Sequence, residues 1–482
     1  MLPYPRPAVA DAKLVLFVSA FSPATLHQIE AIVGASHVLQ GAEAGEYAGD
    51  WTRVYPSRPG AVAKPGSVEE VCALVALAVR EGLPLVPSGG RTGLSGGAVA
   101  SAGERVVALD RLDAISEFDP IDRSVRCGAG VTTARLQEFA SEQGLFYPVD
   151  FASSGSSQLG GNVATNAGGI KVIRYGMTRQ WIRGLKVVTG SGELLDLNRG
   201  LIKNNAGYDL RHLFIGSEGT LGIVVEVTVG LARPPVDPLV MVLGVRDMQA
   251  AMELLQRFQG ILDLSAFEFF SDRALDKVAT HAGVPRPFSG AAPYFVLAEF
   301  EQASGEEQEQ AMNLFETMAD EGVVLDGVLS QSLAQASSLW RLREEISATI
   351  ARWTPYKNDL SVRLSRVPAF LARVEELVTR AYPEFEIIWY GHIGDGNVHL
   401  NILKPDALSV AEFQGRCNAV NEALYGIVRA FEGSVSAEHG VGLLKKDYLP
   451  WSVSAVELDL MRQLTGVFDP HGILNPGKIL DS

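Results

Sequence analysis

The stretch PSGGRTGLSGGA, residues 87–98, contains five glycines and no aromatic side chain. Three interpretations fit this composition: a cradle for a phosphate group, the G-x-S-x-G turn of a hydrolase nucleophile, and a flexible surface loop. A hydrolase turn places its serine directly between a strand and a helix, whereas the predicted strand ends near Val86, nine residues before Ser95. The hydrolase turn is therefore disfavoured. No Lys-Ser or Lys-Thr pair follows the glycines, so the stretch is not a Walker A loop either.

Two further segments rich in glycine favour the phosphate cradle. Residues 155–170 read GSSQLGGNVATNAGGI, and residues 214–223 read FIGSEGTLGI. Glycines allow several backbone N–H groups to converge on one anion, and small side chains let the backbone approach a ligand closely. Asn162, Thr165 and Asn166 add hydrogen-bonding side chains. We predict a large, extended ligand along these segments, with tight turns of a β-rich domain as the alternative.

The chain of 482 residues predicts two or three domains. Up to about residue 230, short strands and glycine-rich turns alternate with few helices. The composition changes at RPPVDP, residues 233–238, after which strands alternate with long helices, as in a sheet covered by helices. We predict an α+β fold divided into residues 1–234, 235–432 and 433–482, with the last segment returning to the first.

Charge and cysteine content exclude some partners and compartments. The formal net charge of −15 should repel nucleic acid and anionic membranes. The three cysteines are scattered and form no C-x-x-C pair, which fits a reducing compartment. Residues 1–21 hold a short apolar run without the features of a signal peptide, and no window approaches the roughly 18 apolar residues of a membrane span. We expect a soluble cytoplasmic protein without a nucleic-acid partner.

A pair of histidines flanks a predicted hairpin turn in IIWYGHIGDGNVHLNI, residues 387–402. Asp395-Gly396 is a two-residue hairpin signal between apolar runs, and a turn centred there would pair His392 with His399. The two side chains would lie on one face with Cβ atoms about 5 Å apart, and that of Asn401 would share the face. Two imidazoles so placed are suited to a divalent metal ion.

A third ligand is available in SVSAEHGVG, residues 434–442, where Glu438 precedes His439 in a turn bracketed by glycines. Two histidines and one carboxylate leave coordination positions open for a substrate. A metallohydrolase could use the same three groups to activate water, so the metal site alone leaves the class of reaction open.

Four motifs together resemble one family of flavoproteins. They are PSGGRTGLSGG, LGGNVATNAGG, IRYG and NNAGYDLRHLFIGSEGTLGI, and the likeness extends from about residue 55 to LNPGK near the C-terminus. The chain resembles the vanillyl-alcohol-oxidase (PCMH) type, and in particular its branch of FAD-dependent D-2-hydroxyacid dehydrogenases. The resemblance implies an FAD-binding domain, an α+β cap domain with an antiparallel sheet, and backbone amides of the first loop on the FAD pyrophosphate. Since no histidine lies between His37 and His212, it implies non-covalent FAD.

The same resemblance assigns roles to individual positions. His392, His399 and Glu438 are expected to bind the metal ion, with zinc as the predicted ion, Asn401 to contact substrate, and His439 to act as catalytic base. Cofactor-binding residues are expected at Pro87, Ser88, Gly89, Gly90, Arg91, Thr92, Gly93, Gly96, Gly97, Ser156, Gly160, Gly161, Asn162, Thr165, Asn166, Gly168, Gly169, Glu218, Gly222, Ile223 and Asn475.

The predicted substrate has a second carboxylate. Arg343 and Ser347 lie four residues apart in the helical stretch WRLREEISATI and share a face, and Lys357 begins a predicted strand. A surface salt bridge for the arginine and a solvated lysine are the alternative. The resemblance implies that these three residues hold a distal carboxylate, with serine where the family has threonine. We expect D-2-hydroxyglutarate as the preferred substrate and D-malate and D-lactate as weaker ones, with a D-lactate or glycolate dehydrogenase as the alternative.

The implied reaction is a dehydrogenation. The metal binds the C1 carboxylate and the α-hydroxyl of the substrate, His439 accepts the hydroxyl proton, and the α-hydrogen passes as hydride to flavin N5, which leaves a 2-oxo acid. The resemblance implies electron-transferring flavoprotein or a quinone-linked carrier as electron acceptor. It leaves the oligomeric state open, with a homodimer as one alternative.

Overall fold

The computed structural model describes residues 22–52, 54–302 and 304–481. The prediction that residues 1–21 are not a signal peptide therefore falls outside the described residues. In the described part of the chain, no helix is both long enough and apolar enough to cross a membrane.

The chain up to residue 230 forms short helices and two sheets. Its helices are α1 (Pro23–Val33), α2 (Gly41–Gly45), α3 (Val68–Glu81), α4 (Thr133–Glu142), α5 (Leu159–Thr165), α6 (Val172–Tyr175), α7 (Thr178–Trp181) and α8 (Arg211–Phe214). Its strands are β1 (Val38–Leu39), β2 (Ala61–Ala63), β3 (Leu85–Ser88), β4 (Arg105–Ala108), β5 (Ile115–Asp119), β6 (Ser124–Gly128), β7 (Ile182–Thr189), β8 (Leu194–Leu197) and β9 (Gly222–Gly230).

The two sheets of this first part share one core. Strands β1, β2, β4 and β3 form a four-stranded sheet in this order, in which β2, β4 and β3 are parallel. Strands β5, β6, β9, β7 and β8 form an antiparallel sheet of five. A hydrophobic cluster joins buried side chains of both sheets with those of α3, α4 and α5. We call this cluster the first core.

Helix α3 illustrates how local sequence fixes these elements. The Ser67 hydroxyl accepts a hydrogen bond from the N–H of Glu70, which caps the first turn, and Gly82 ends the helix with a left-handed backbone. Between the caps, apolar residues recur at spacings of three and four, so that one face is buried: Val71, Leu74, Val75, Leu77 and Ala78.

The second part of the chain alternates long helices with the strands of one sheet. Its helices are α9 (Met248–Gln259), α10 (Asp272–His281), α11 (Glu307–Asp320), α12 (Leu333–Ile350), α13 (Val367–Ala381), α14 (Val410–Asn418), α15 (Asn421–Ala430) and α16 (Ala455–Phe468). Its strands are β10 (Leu239–Val245), β11 (Leu264–Ser271), β12 (Tyr294–Phe300), β13 (Val324–Leu329), β14 (Tyr356–Ser361), β15 (Glu386–Gly391) and β16 (Asn397–Leu403). Short 3-10 helices span Ala35–His37, Ala351–Trp353, Leu364–Arg366 and Lys446–Trp451.

The seven strands of the second part form one antiparallel sheet in the order β13, β10, β12, β11, β15, β16, β14. One face packs against α9, α11, α13 and α15. The other face packs against α10 and α12. The prediction of an α+β fold with an antiparallel sheet covered by helices is confirmed.

The β15–β16 hairpin differs from the prediction in its register. His399 pairs with Tyr390, so the predicted pairing of His399 with His392 is wrong, and residues 392–396 form the connection. The physical reason is a wider turn, in which the carbonyl of His392 accepts the N–H of Asn397 at 3.2 Å. The shift is two residues, and side chains alternate with a period of two, so the face is retained and the two imidazole centroids lie 5.3 Å apart.

The C-terminal residues lie against the first part of the chain. Leu474 forms a parallel bridge with Leu85 in β3, and Ile473 and Leu474 belong to the first core. The division of the chain at residues 234 and 432 stays a prediction.

Candidate active site

The three glycine-rich segments line one cleft, which contains about 810 Å³ of empty space including its opening to solvent. Among the predicted cofactor-binding residues, those in its wall are Pro87, Ser88, Gly89, Gly90, Arg91, Thr92, Gly93, Gly97, Gly160, Gly161, Asn162, Thr165, Glu218 and Gly222. Segments that are far apart in sequence thus meet at one place, as a single extended ligand requires.

The glycines of the cleft fall into two groups. A Cβ atom built at Gly93 or Gly161 would meet no described atom within 4 Å, so these positions face open space. A Cβ at Gly90 would lie 2.0 Å from the carbonyl oxygen of Ser156, and one at Gly160 would lie 2.7 Å from the Cβ of Ala129. The first group leaves room for a ligand, while the second lets protein segments pack closely together. Close packing and ligand approach each account for some of the glycines.

A buried acceptor in the cleft wall adds to the fit of an extended cofactor. Among the described residues, Oε1 of Gln158 has no hydrogen-bond partner. Gln158 lies in the cleft wall. Asn475 donates its amide to the carbonyls of Gly97 and Glu218, at 2.9 and 2.7 Å, and so joins two of the glycine-rich segments. FAD carries N–H and hydroxyl donors along its length, so the cleft fits FAD.

Some predicted cofactor-binding side chains are occupied by protein partners. Arg91 lines the cleft, but its guanidinium lies 4.5 Å from the centroid of the Tyr47 ring and donates to the carbonyl of Gly89. The amide of Asn162 donates to the hydroxyl of Thr133 at 2.7 Å. These side chains shape the wall of the cleft and leave the glycine backbone as the exposed surface.

Seven predicted cofactor-binding residues lie outside the wall of the cleft. Ile223 points into the first core because strand alternation directs Gly222 and Val224 to the cleft instead. Oδ1 of Asn166 accepts the N–H of Arg179, which fixes the end of α5. The seven residues are Gly96, Ser156, Asn166, Gly168, Gly169, Ile223 and Asn475.

Sequence reasoning also missed residues of the wall. Gln158 lies inside the second glycine-rich segment, and the alternation of apolar residues along β9 could have selected Val224. The small residues Ser95, Ala98, Ala164 and Gly219 lie within the three glycine-rich segments as well. Leu109 lies outside them and carries no local signal. The full set is Ser95, Ala98, Leu109, Gln158, Ala164, Gly219 and Val224.

Three imidazoles converge on the carboxylate of Glu438 in the second part of the chain. The Nε2 atoms of His392, His399 and His439 lie 3.7, 3.6 and 3.5 Å from its oxygens. These separations exceed a hydrogen bond and match those of ligand atoms that each lie about 2.1 Å from one shared ion. The ligand atoms of His399, Glu438, His439 and Asp359 lie within 4.8 Å of one another, so these side chains fit a divalent metal ion. His392, a predicted ligand, lies outside that group, although its Nε2 approaches Glu438 at 3.7 Å.

Each imidazole turns its Nδ1 atom towards a buried carboxylate. Nδ1 of His392 lies 2.9 Å from Glu268. Nδ1 of His399 and Nδ1 of His439 lie 3.8 and 3.6 Å from the two oxygens of Asp359. Only the contact of Glu268 is a hydrogen bond, and it favours the proton of His392 on Nδ1. The separations of His399 and His439 from Asp359 exceed a hydrogen bond.

Asp359 also fixes the turn that carries the glutamate. One of its oxygens accepts the N–H groups of Ala437, Glu438 and His439 at 3.1, 3.0 and 2.9 Å. The other accepts the amide of Asn397 at 2.9 Å. The carboxylate lies within 4.8 Å of ligand atoms of the cluster, but these bonds occupy it, so it orients the cluster. The sequence signal for Asp359 and Glu268 is that each is an acidic residue within a buried strand, where an unpaired charge would be costly.

The pKa values suit a metal site. Burial raises the pKa of Glu438, but His392 and its neighbours outweigh burial and hold that pKa well below its usual value, so the carboxyl is anionic. Burial lowers the pKa of His399 to about 3, so this imidazole is neutral. Burial also lowers the pKa of His392, but Glu268 and Glu438 outweigh it and raise the pKa to about 10. Metal binding would therefore release the proton of His392.

The predicted substrate-binding residues meet where helix α12 packs against the sheet. Lys357 pairs with Asn401 on the adjacent strands β14 and β16, and its ammonium donates to the Ser347 hydroxyl at 3.1 Å. Arg343, one helical turn before Ser347 on α12, lies 4.7 Å from the centroid of the Tyr390 ring. Among the described residues, Nε of Arg343 and Oδ1 of Asn401 lack a hydrogen-bond partner. Burial lowers the pKa of Lys357.

The cleft and the cluster of side chains around Glu438 are connected through one turn. Glu218, in the cleft wall, accepts the N–H groups of Val441 and Gly442 at 2.7 and 2.8 Å. These residues follow Glu438 in the same turn, and the carbonyl of Ser95 accepts the next N–H, that of Leu443, at 2.9 Å. The turn that carries Glu438 is therefore fixed against residues of the cleft wall.

Comparisons with known proteins define the class. The chain matches the sequence profile described as "FAD binding domain" over residues 59–198 and that described as "FAD linked oxidases, C-terminal domain" over residues 235–479. Solved structures of p-cresol methylhydroxylase and alkyldihydroxyacetonephosphate synthase share the fold. Their TM-scores are 0.74 and 0.72 at 15% and 17% identity, over 95% and 94% of this chain and 96% and 86% of theirs. The fold and the cleft are those of an FAD-dependent oxidoreductase.

Relatives of known sequence narrow the class further. D-2-hydroxyglutarate dehydrogenase of Stutzerimonas stutzeri (strain A1501) is 54% identical over 458 residues, which cover 95% of this chain and 99% of that protein. The mitochondrial D-2-hydroxyglutarate dehydrogenase of Arabidopsis thaliana is 35% identical, over 93% of this chain and 80% of that protein. The chain belongs to the FAD-linked oxidase family, which confirms the resemblance.

Proposed function

We propose that the protein oxidises D-2-hydroxyglutarate to the 2-oxo acid with FAD as cofactor and a divalent metal ion at Glu438. Relatives of 54% and 35% identity carry the name D-2-hydroxyglutarate dehydrogenase. D-malate and D-lactate are proposed as weaker substrates, and zinc as the ion. The acceptor, the cytoplasmic location and the homodimer stay predictions.

One observation carries the proposal: two chemically different clusters lie next to each other on one sheet. His399 and Asn401 project from the same face of β16, since they are two residues apart. His399 belongs to the cluster around Glu438, and Asn401 stands opposite Lys357 in the cationic group. A hydroxy acid whose two carboxylates are separated by a short chain would place one on each cluster. A monocarboxylic acid would leave Lys357 without a carboxylate partner among the described residues, since Arg343 is paired with Glu268.

The residues of the chain have distinct tasks in this reaction. Arg343, Ser347 and Lys357 hold the distal carboxylate through charge and hydrogen bonds. His439 takes the hydroxyl proton at Nε2, while its Nδ1 faces Asp359 at 3.6 Å. Asp359 keeps the turn of His439 in place through three backbone N–H groups.

A divalent metal ion and FAD would supply the remaining chemistry. A divalent ion held by His392, His399 and Glu438 would supply Lewis acidity towards the hydroxyl and the nearer carboxylate. FAD held by the glycine-lined cleft would supply the hydride acceptor.

Anaerobic reduction of the bound flavin tests the proposal. The purified yellow protein is mixed without oxygen with D-2-hydroxyglutarate, D-malate, D-lactate and L-2-hydroxyglutarate in separate samples, and loss of flavin absorbance is followed. We expect fastest bleaching with D-2-hydroxyglutarate and none with its L enantiomer. Faster bleaching with D-lactate would overturn the choice of substrate, and no bleaching with any D acid would overturn the reaction.

A further inference from the structure

Glu268 lies between the two clusters of the proposed site. It projects from β11, and its side chain is 1% exposed. Its carboxylate lies 2.9 Å from Nδ1 of His392 and 2.9 Å from Nη2 of Arg343. One buried anion therefore contacts both a predicted metal ligand and a predicted substrate-binding cation.

The side chains around Glu268 are buried as well. Those of Arg343 and His392 are 7% and 9% exposed, so water screens these contacts poorly. The guanidinium is further fixed against the Tyr390 ring. Removing one partner of such a group leaves the others with an uncompensated charge or an unfilled hydrogen bond.

We propose that Glu268 is a positioning residue that fixes His392 for metal binding and at the same time attenuates the attraction of Arg343 for a second carboxylate. The second half of this inference rests on the proposed substrate; the first half requires only the metal cluster. Glu268 is not among the described residues that line the cleft, and it acts through its two neighbours.

The two tasks of Glu268 predict effects of opposite sign in Glu268→Gln. The amide keeps the size of the side chain and removes its charge. Metal binding weakens, since a neutral group holds the Nδ1 proton of His392 less firmly. Binding of a second carboxylate tightens, because that carboxylate no longer meets a resident anion next to Arg343. A merely structural defect would impair both.

The experiment has two readouts on the FAD-loaded protein. Zn²⁺ affinity is measured by competition with a chromophoric chelator, and we expect about a 10- to 100-fold weaker Kd in Glu268→Gln. At saturating Zn²⁺, the ratio of KM for D-lactate to KM for D-2-hydroxyglutarate should rise by about tenfold. The ratio isolates the distal end, because both substrates share the same C1 carboxylate and hydroxyl.

Glu299→Gln is the matched control. Glu299 is a buried carboxylate on the neighbouring strand β12, but it binds Lys171 and the Trp340 indole at 2.9 and 2.8 Å. Its substitution should leave both the Zn²⁺ affinity and the KM ratio as in the wild type. Equal changes in the two variants would overturn the proposal, because they would show a general effect of buried carboxylates.

Further outcomes separate this proposal from the proposed function. Unchanged Zn²⁺ affinity in Glu268→Gln, or a KM ratio that stays equal or falls, would overturn the role of Glu268. If wild-type protein oxidises no dicarboxylic hydroxy acid, the proposed substrate is wrong, and the Zn²⁺ affinities still test whether Glu268 fixes His392.

A second variant is used if Glu268→Gln fails to retain FAD. In Glu268→Asp the charge remains, but the shorter side chain cannot reach both partners. Its Zn²⁺ affinity should fall with little change in the KM ratio, and unchanged Zn²⁺ affinity would overturn the proposal.

Discussion

The two cationic residues of the proposed site, Arg343 and Lys357, differ in whether a carboxylate balances their charge. Arg343 is paired with Glu268 at 2.9 Å. Lys357 has no carboxylate partner within salt-bridge distance among the described residues, and its ammonium meets the Ser347 hydroxyl. Lys357 should therefore contribute more than Arg343 to the attraction of a second carboxylate.

Substitution of Lys357 tests that difference. Lys357→Ala should lower kcat/KM for D-2-hydroxyglutarate about 10- to 100-fold, the usual effect of losing a charged hydrogen bond. The value for D-lactate should change less than about threefold. Lys404→Ala is the control, since Nζ of this lysine, which directly follows β16, donates to the carbonyls of Pro405 and Leu408. Equal losses with both substrates would remove Lys357 from the distal site.

The pKa of Lys357 predicts a dependence on pH. The ammonium must be protonated to attract a carboxylate, and burial lowers its pKa below that of an ordinary lysine. KM for D-2-hydroxyglutarate should therefore rise with pH at values where a solvated lysine is still charged, while KM for D-lactate should not. Steady-state kinetics across the alkaline range provide the check. Lys357→Arg should abolish the rise, and a rise that persists in this variant would have another origin.

Sequence motifs located much of the candidate site but not the residues that orient it. His392, His399 and Glu438 were selected by residue type and spacing, and the structure brings them together. Glu268 and Asp359 were missed because each lies in a different strand and is linked to the cluster only through the tertiary fold. The sequence shows only a lone acidic residue in an apolar strand, and this pattern does not predict which side chains that residue contacts.

At the scale of elements, the β15–β16 hairpin shows the limit of local turn rules. Asp-Gly between apolar runs favours a two-residue turn, but residues 392–396 form a wider one against the neighbouring strands. The N–H of Gly394 donates to the carbonyl of Phe267 in β11, and the N–H of Val362 donates to the carbonyl of Gly396. These contacts come from outside the hairpin. The amphipathic helices depend mainly on their own sequence, so the long helices predicted for the second part of the chain are confirmed, among them α9, α11 and α13.

Gly396 tests the contribution of this turn to the metal cluster. Its backbone has φ of 86°, and a Cβ there would lie 2.2 Å from the carbonyl oxygen of Val362. Gly396→Ala should cost roughly 1–3 kcal/mol of unfolding free energy and weaken Zn²⁺ binding. Gly415→Ala in α14 is the matched control, because a Cβ there meets no described atom within 4 Å.

That control should be neutral or stabilising by up to about 1 kcal/mol, since alanine is favoured over glycine inside a helix. Thermal or denaturant unfolding and chelator competition measure both variants. Full stability and Zn²⁺ affinity in Gly396→Ala would show that the turn can relax without moving His392 and His399.

In the whole molecule, one turn joins the cofactor cleft to the metal cluster. Residues 437–439 are held by Asp359 from the second part of the chain, and residues 441–442 by Glu218 from the first. The sequence motifs predicted the glycine-rich cleft and the cluster around Glu438 but not the connection between them. Glu218 and Val441, which form one of the connecting hydrogen bonds, are 223 residues apart in the sequence. Long-range contacts of this kind leave no periodic pattern in the sequence.

The central claim is that flavin reduction by D-2-hydroxyglutarate depends on a metal ion at Glu438. The most direct measurement is anaerobic flavin bleaching by this substrate before chelation, after chelation, and after Zn²⁺ is returned. We predict that chelation slows bleaching at least about 100-fold while FAD stays bound, and that Zn²⁺ restores the rate. Bleaching at the full rate in protein shown to be free of metal would contradict the account.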